Sequence, residues 1–132
     1  MKTKHIIDGV QKMTLLWRPG YGTQESIIIK LNEYLLNPEH RDSKGQLTGK
    51  AAWFNDNLGF TRDNINDLAK QIKFDRLSAK LTVRTQYGQK YSQTIEIIGV
   101  NGKSKRVVFN WIENPDGIVR LIGTGKFPKH RR

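Results

Sequence analysis

The hydrophobic pattern of this chain changes its period once, near Asp75. Before that point, apolar residues recur every three or four positions, as in Leu31, Tyr34 and Leu35, which is typical of amphipathic helices. After it, apolar and polar residues alternate, which is typical of half-buried strands. A chain with helices first and strands afterwards is predicted to adopt an α+β fold, with N-terminal helices packed on an antiparallel sheet.

Start and stop signals place the predicted helices. The first ends before Pro38, because the residue that precedes a proline is pushed out of the helical region. The second ends at Gly59, a suitable C-cap, and the third begins after Thr61. The three predicted helices carry their apolar residues over 31–35, 51–58 and 65–72.

Turn signals divide the second half into four strands joined as a meander. Asn101-Gly102 is a strong hairpin signal, because both positions tolerate positive φ. Turns are also expected at residues 87–89 and 114–117, where glycine or proline interrupts the alternation. The predicted strands cover residues 80–84, 91–100, 105–112 and 118–124.

The length of 132 residues suits one domain. Residues 1–24 show weak periodicity and contain the loop-like sequence RPGYG, so they are interpreted as a leader or linker. Residues 25–132 form the predicted domain and end in a basic tail. The start of the chain lacks the sustained apolar core of a signal peptide, and no apolar run reaches the ~18 residues of a membrane-spanning helix. No stable membrane association is therefore expected.

The charge distribution points to a polyanionic partner. The formal net charge is +11, and the excess is uneven: residues 1–66 hold 9 basic and 7 acidic side chains, whereas residues 67–132 hold 14 and 5. This asymmetry favours nucleic acid over membrane lipid as the partner of the second half. A basic surface that only keeps the chain soluble is the alternative.

Cysteine and histidine usage excludes several kinds of chemistry. The chain has no cysteine, so disulfides, thiolate metal sites and thiol catalysis are excluded. Its three histidines, His5, His40 and His130, are dispersed, and no HxxxH, calcium-loop or P-loop motif is present. No metal or cofactor is predicted.

Two polar residues flank the loop between the first two predicted helices. His40 is the histidine within the body of the predicted fold, and an imidazole can both remove and donate a proton near neutral pH. Lys50 stands at the first turn of the second helix, where a cation opposes the helix dipole. Such a local mismatch favours a functional role, although a surface histidine without a function is the commoner case.

Alternation along the last two strands predicts a polar patch on the sheet. Arg120 and Thr124 share one predicted face, and Arg106 and Asn110 share a face of the neighbouring strand. If these faces coincide, the four side chains surround one patch. The alternative is that the arginines lie on the solvent side of a sheet that buries its other face.

Further cations flank the strands. Lys103, Lys105 and Arg106 precede or open the third strand, and Lys126 follows the fourth. They would add salt-dependent affinity for a polyanion without reading its sequence. Trp53, Trp111, Tyr87 and Tyr91 are candidate stacking surfaces for bases. For Trp53 and Trp111, burial in the core is the favoured interpretation.

A family resemblance rests on KLNEYLLNPEHRDSKGQLTGKAAWFNDNLGF, residues 30–60, and on NWIENPDGIVRLIGT, residues 110–124. These segments resemble toxin domains at the C-terminal ends of bacterial polymorphic toxins. The element order is similar to the barnase/EndoU/colicin/RelE-like superfamily of metal-independent ribonucleases. The family's histidine matches His40, its Gly-Lys-Ala matches residues 49–51, and its fourth-strand polar positions match Arg120 and Thr124.

The resemblance implies an endoribonuclease toxin of contact-dependent growth inhibition that cleaves transfer RNA through a 2′,3′-cyclic phosphate. His40 would transfer a proton, Lys50 and Arg120 would stabilise the phosphorane, and Thr124 would hydrogen-bond a non-bridging oxygen. We expect His40 and Lys50 to lie together on the side of the sheet that carries Arg120 and Thr124, so that all four reach one phosphodiester. The residues expected to contact RNA are Lys30, Lys103, Lys105, Arg106, Asn110 and Lys126.

The resemblance also implies a partner and a location. The toxin would be secreted as the C-terminal part of a large cell-surface protein and act in the target-cell cytoplasm. An acidic immunity protein would cover its basic cleft in a one-to-one complex. Two alternatives stay open: a basic module that binds nucleic acid without cutting it, and a metal-dependent DNase toxin.

Overall fold

The computed structural model describes residues 22–127, and these residues form an α+β fold as predicted. Residues 1–21 of the predicted leader and residues 128–132 of the basic tail, with His5 and His130, lie outside the described residues. Helix α1 (Thr23–Lys30) starts within the segment predicted as leader and continues through one wide, π-helical turn (Leu31–Leu35). Helix α2 (Lys50–Leu58) and helix α3 (Ile65–Ala69) follow.

The sequence signals that predicted where helices end and begin are found at helix ends in the structure. Gly59 ends α2 with φ of 77°, a left-handed conformation that glycine adopts without steric cost. The Thr61 hydroxyl accepts a hydrogen bond from the Asp63 backbone N–H and opens a 3₁₀ turn (Arg62–Asn64) that leads into α3. Helix α3 is shorter than the predicted helix. Ile72, the last residue of the predicted apolar stripe, is buried, but it lies in the irregular segment after the helix.

Four antiparallel strands form one sheet in the order β1-β2-β3-β4, which confirms the meander. The strands are β1 (Lys80–Thr85), β2 (Gly88–Ile98), β3 (Ser104–Glu113) and β4 (Val119–Thr124). One prediction about them was wrong: β1 was expected to be half-buried, but all six of its residues are exposed.

The core lies between the helices and one face of the sheet, here called the helix-packed face. On this face Phe109 and Trp111 of β3 are fully buried, and Trp111 therefore belongs to the core, as favoured from the sequence. The opposite face, here called the outer face, carries exposed residues such as Thr94, Glu96 and Arg106.

One edge strand of the sheet, β4, is packed against a helix, whereas the other edge strand, β1, is exposed. Helix α1 packs along β4, and the buried Ser26 hydroxyl of α1 accepts a hydrogen bond of 2.9 Å from the Leu121 backbone N–H. That bond satisfies a donor of the edge strand that no neighbouring strand could reach. Helix α1 is thereby fixed beside β4, and the segments that follow α1 are brought close to the end of this strand.

A bulge interrupts the pairing of β3 and β4. Trp111 pairs with Leu121 and Asn110 pairs with Gly123, so Ile122 is an extra residue in β4. Directly opposed residues project to the same face of a sheet, and one inserted residue therefore reverses the alternation along β4. This local irregularity decides which predicted site residues can meet.

Candidate functional site

Lys50 reaches from the start of α2 to the end of β4. Gly49 turns the chain into the helix with φ of 75°, and the Lys50 ammonium then donates a hydrogen bond of 3.1 Å to the carbonyl oxygen of Thr124. The side chain is half-buried, and this burial lowers the pKa of Lys50 from its ordinary value of 10.5. An ammonium has three donors, so the contact with Thr124 leaves donors for a second acceptor such as a phosphate oxygen.

The hydroxyl of Thr124 is a second polar group at this point. Thr124 pairs with Phe109 and therefore projects to the helix-packed face, where the residue is buried. Its Oγ1 has no hydrogen-bond partner within residues 22–127. A buried hydroxyl without a partner costs about 1–3 kcal/mol, so its presence calls for an explanation, and ligand binding is one.

The loop between the wide turn and α2 brings His40 towards Lys50. Its two ends are joined, because the backbone N–H of Thr48 donates to the carbonyl oxygen of His40 at 3.1 Å and Arg41 pairs with Leu47. His40 thus lies opposite Thr48, two residues before Lys50. The two residues singled out in the sequence stand at the same end of one closed loop.

The His40 ring lies in an aromatic and cationic cluster. It meets the Tyr34 ring edge to face, with 4.7 Å between the centroids and 77° between the planes. The Lys30 ammonium lies 4.4 Å from the centroid of the same Tyr34 ring. The Nδ1 atom of His40 is buried and has no hydrogen-bond partner in the described part of the chain.

Lys30 shares the electrostatic situation of Lys50. Burial lowers the pKa of Lys30, while the nearby Glu33 carboxylate opposes this shift. A partly desolvated ammonium gains more from an anionic ligand than an ammonium in water, because the surrounding dielectric constant is lower. Lys30, predicted as an RNA contact, and His40, the predicted proton carrier, contact the same Tyr34 ring.

Arg120 does not join this cluster, and the prediction that it shares a face with Thr124 was wrong. Arg120 pairs with Ile112 and projects to the outer face, whereas the bulge turns Thr124 to the helix-packed face. The Arg120 side chain is 2% exposed. Its guanidinium donates to Asn114 at 2.8 Å and forms an ion pair of 2.9 Å with Asp116, a bond that lowers the pKa of this carboxyl.

The other predicted contacts are divided between the faces. Asn110 pairs with Gly123 and Arg106 pairs with Glu96, both on the outer face, so these two residues do not border the Lys50 side chain. Lys103 is exposed in the β2–β3 turn, and Lys105 is exposed as the second residue of β3. The turn contacts the C-terminal end of α2 through a bond from Asn101 to the Asn57 carbonyl. Lys126 is exposed just after β4.

Sequence reasoning missed two features. Tyr34 was read only as part of a helical stripe, although its spacing of four residues from Lys30 is the signal for a contact on one helix face. The second feature is a partly exposed cluster at the other end of the helix-packed face. There Arg76 forms an ion pair of 3.2 Å with Glu113 and donates to the Tyr91 hydroxyl, and these bonds raise the pKa of Arg76.

The described residues contain no group of three His, Asp or Glu side chains arranged to hold a metal ion. None of the helices within residues 22–127 is long and apolar enough to cross a membrane.

The chain matches a known protein family over most of its length. Residues 23–129 match the family described as Domain of unknown function (DUF6883). The chain belongs to this family. The match starts at the first residue of α1 and includes the whole sheet, so the described fold is that of a DUF6883 domain. No curated protein and no solved structure matches the chain.

Proposed function

We propose that this DUF6883 domain is a metal-independent endoribonuclease with transfer RNA as its substrate, acting as a toxin in competition between bacteria. The observation that carries the proposal is the cluster around Lys50. A half-buried ammonium lies against Thr124, and a histidine with a buried, unpartnered Nδ1 stands at the same end of the loop.

The nucleophile in this proposal belongs to the substrate. The ribose 2′-oxygen forms a bond to the adjacent phosphorus and loses its proton, and the bond from phosphorus to the 5′-oxygen breaks as that oxygen gains a proton. The products are a 2′,3′-cyclic phosphate and a 5′-hydroxyl. No activated serine or cysteine is needed, in agreement with a chain that has no cysteine.

The residues of the cluster have separate roles. His40 transfers a proton, a contribution of about 10²–10⁴-fold. Lys50 and Lys30 stabilise the charge that grows on the non-bridging oxygens, and the Thr124 hydroxyl donates to one of them. Lys30 takes the place that the sequence assigned to Arg120, because Arg120 is engaged by Asn114 and Asp116.

The distribution of the exposed cations supports a strand of RNA that runs along α2. Lys50 stands at the N-terminal end of this helix, Lys103 lies on the turn that contacts its C-terminal end, and Lys105 is the second residue of the strand after that turn. A helix of nine residues is about 13 Å long, so both ends can contact one substrate. These lysines would add affinity that depends on salt.

The experiment is cleavage of transfer RNA by the purified chain with and without EDTA, followed by sequencing of the RNA ends. We expect cleavage that persists in EDTA and products with 2′,3′-cyclic phosphate ends. His40→Gln and Lys50→Met should each reduce the rate by about 10²-fold or more while the fold is kept. Lys44→Met, an exposed lysine of the same loop, is the matched control and should cleave at the parental rate.

Other outcomes would favour the alternatives. Tight RNA binding with no new RNA ends indicates a binding module, which the cations on the outer face would also serve. Nicking of a plasmid in magnesium or zinc indicates a metal-dependent DNase. Full activity of either cluster variant would remove the proposed active site.

The partner and location are part of the same proposal. A toxin of this kind requires an immunity protein, and a net charge of +11 favours an acidic one that binds in a one-to-one complex. The domain would be delivered as the C-terminal part of a secreted cell-surface protein and act in the cytoplasm of the target cell. Mixing the chain with an acidic protein encoded beside it and measuring the mass of the complex tests this part.

A further inference from the structure

Tyr34 lies in the wide helical turn that follows α1. The turn is marked by a hydrogen bond of 2.7 Å from the Leu36 backbone N–H to the Leu31 carbonyl, five residues earlier. Such π-helical turns insert one residue into a helix and are frequent at functional sites. Leu31 and Leu35, on either side of Tyr34, are buried in the core and hold the turn in place, whereas Tyr34 itself is half-buried.

The Tyr34 ring contacts two side chains of the proposed site, those of Lys30 and His40. The Lys30 ammonium lies 4.4 Å from the ring centroid, a distance at which the negative face of an aromatic ring attracts a cation. The His40 ring lies 4.7 Å from the same centroid at 77°, the edge-to-face arrangement that aromatic pairs prefer. One ring therefore joins a residue of α1 to a residue of the loop.

This contact restricts His40 in a way that the backbone alone does not. The loop fixes the His40 backbone through its bonds to Asn37 and Thr48, but the imidazole has no side-chain hydrogen bond to any described residue that would set its orientation. Its Nδ1 is buried, so Nε2 is the nitrogen left to reach a substrate. The edge-to-face contact with the Tyr34 ring can orient the imidazole instead.

We propose that Tyr34 is a positioning residue whose ring holds the His40 imidazole and the Lys30 ammonium towards the same RNA phosphate. The inference rests on the proposed ribonuclease function and deepens it, because it assigns a role to a residue that never touches the reacting atoms. Misplacing a catalytic group by about 1 Å can cost as much as 10²-fold in rate, so the loss of this ring should be felt in the chemical step.

The test compares Tyr34→Leu, which removes the ring, with Tyr34→Phe, which keeps it. Tyr87→Leu in the β1–β2 turn is the matched control for loss of a tyrosine. For each chain, kcat and KM for transfer RNA cleavage, the melting temperature and the NMR shifts of the His40 ring protons are measured. We expect Tyr34→Leu to lower kcat by about 10–100-fold and to change the His40 shifts, with Tyr34→Phe and Tyr87→Leu close to the parent.

A double-mutant cycle separates positioning from a merely structural role. If Tyr34 acts through His40, Tyr34→Leu in the His40→Gln background should cause little further loss of kcat. Equal losses in both backgrounds, or a loss that follows the melting temperature in all variants, would overturn the proposal.

The failure of the proposed function can be told apart from the failure of this inference. If the parent chain cuts no RNA, the ribonuclease proposal fails, and affinity for a 2′-O-methyl RNA then becomes the readout. Positioning predicts that Tyr34→Leu weakens this affinity several-fold in the parent background but not in the Lys30→Met background. Unchanged affinity together with unchanged His40 shifts would overturn the role of Tyr34.

Discussion

At the scale of single residues, Lys50 combines a cost in stability with a proposed function. Its ammonium is partly removed from water and is compensated by one carbonyl oxygen of Thr124. Groups that break a local rule in this way are most often found at functional sites. The same position was singled out in the sequence, because a lysine in the first turn opposes the helix dipole.

Lys50→Met should therefore separate stability from activity. Because burial lowers the pKa of Lys50, the unfolded chain binds more protons than the folded chain between the lowered pKa and 10.5, and stability from this group rises with pH in that window. We expect the variant to lose this rise and to be at least as stable as the parent at pH ~7, because the partly desolvated charge is absent. Urea denaturation of both proteins at several pH values measures the difference.

Arg120 was predicted to be catalytic, but in the structure its side chain holds two residues of a neighbouring turn. It links β4 to the β3–β4 turn through Asn114 and Asp116, and Asn114 in turn donates to the Tyr87 carbonyl of the β1–β2 turn. The ion pair depresses the pKa of Asp116, so its stabilising contribution is present above the ordinary carboxyl pKa and is lost as the pH falls through the depressed value.

Arg120→Ala should destabilise the domain by about 1–3 kcal/mol, because the buried Asn114 side-chain oxygen loses its hydrogen-bond donor. Arg84→Ala on the exposed strand β1 is the control and should change stability by about 0.5 kcal/mol or less. Chemical denaturation measures both. Cleavage per folded molecule should be unaffected; a loss of ~10²-fold in a fully folded variant would return Arg120 to the active site.

At the scale of elements, the position of α1 beside β4 decides where the cluster forms. The contact depends on Ser26, whose hydroxyl accepts from Leu121 and donates to the Thr23 carbonyl at 2.6 Å. Because Lys30 and Tyr34 follow in the same helical segment, this contact also places them relative to the end of β4.

Ser26→Ala should cost about 1–3 kcal/mol, because the Leu121 N–H stays buried and loses its acceptor. Ser104→Ala, on the exposed start of β3, is the control and should be close to neutral. Thermal denaturation checks the stability, and amide hydrogen exchange of Leu121 checks the mechanism. Unchanged protection of that amide would show that the hydroxyl is not its acceptor.

At the scale of the whole molecule, the charge of +11 and its uneven distribution govern encounter with a polyanion. Six of the predicted RNA-contacting or catalytic residues are cations that lie at the end of α1, at the start of α2, in or before β3, or just after β4. They are Lys30, Lys50, Lys103, Lys105, Arg106 and Lys126. Of these, Arg106 projects to the outer face, and its contribution should be the smallest.

RNA affinity should fall steeply with salt. If about six phosphates of a single strand are neutralised, the slope of log K against log salt is about −4. Replacing Lys103 and Lys105 with methionine should reduce the slope by about 1–2 and leave kcat unchanged, whereas the same change at Lys80 and Lys90 should leave the slope unchanged. Fluorescence anisotropy between about 50 and 200 mM salt measures it. An identical slope for the two double variants would contradict the proposed RNA path.

The sequence by itself determined the α+β class, the order of the elements, the turns at Asn101-Gly102 and Asn114–Gly117, and the end of α2 at Gly59. These features follow from local periodicity and backbone preference, which act over a few neighbouring residues. The placement of His40 and Lys50 on either side of one short loop was also visible in the sequence.

Only the tertiary structure decided which side chains meet. The inserted residue Ile122 reverses the alternation of β4, so the Thr124 side chain projects to the helix-packed face while Arg120 projects to the outer face. No local pattern marks this bulge, because its position depends on how β3 and β4 pair. The contact of Tyr34 with His40 likewise needs a helix and a loop to fold against each other. Side-chain convergence is a property of packing between distant segments, and sequence periodicity does not contain it.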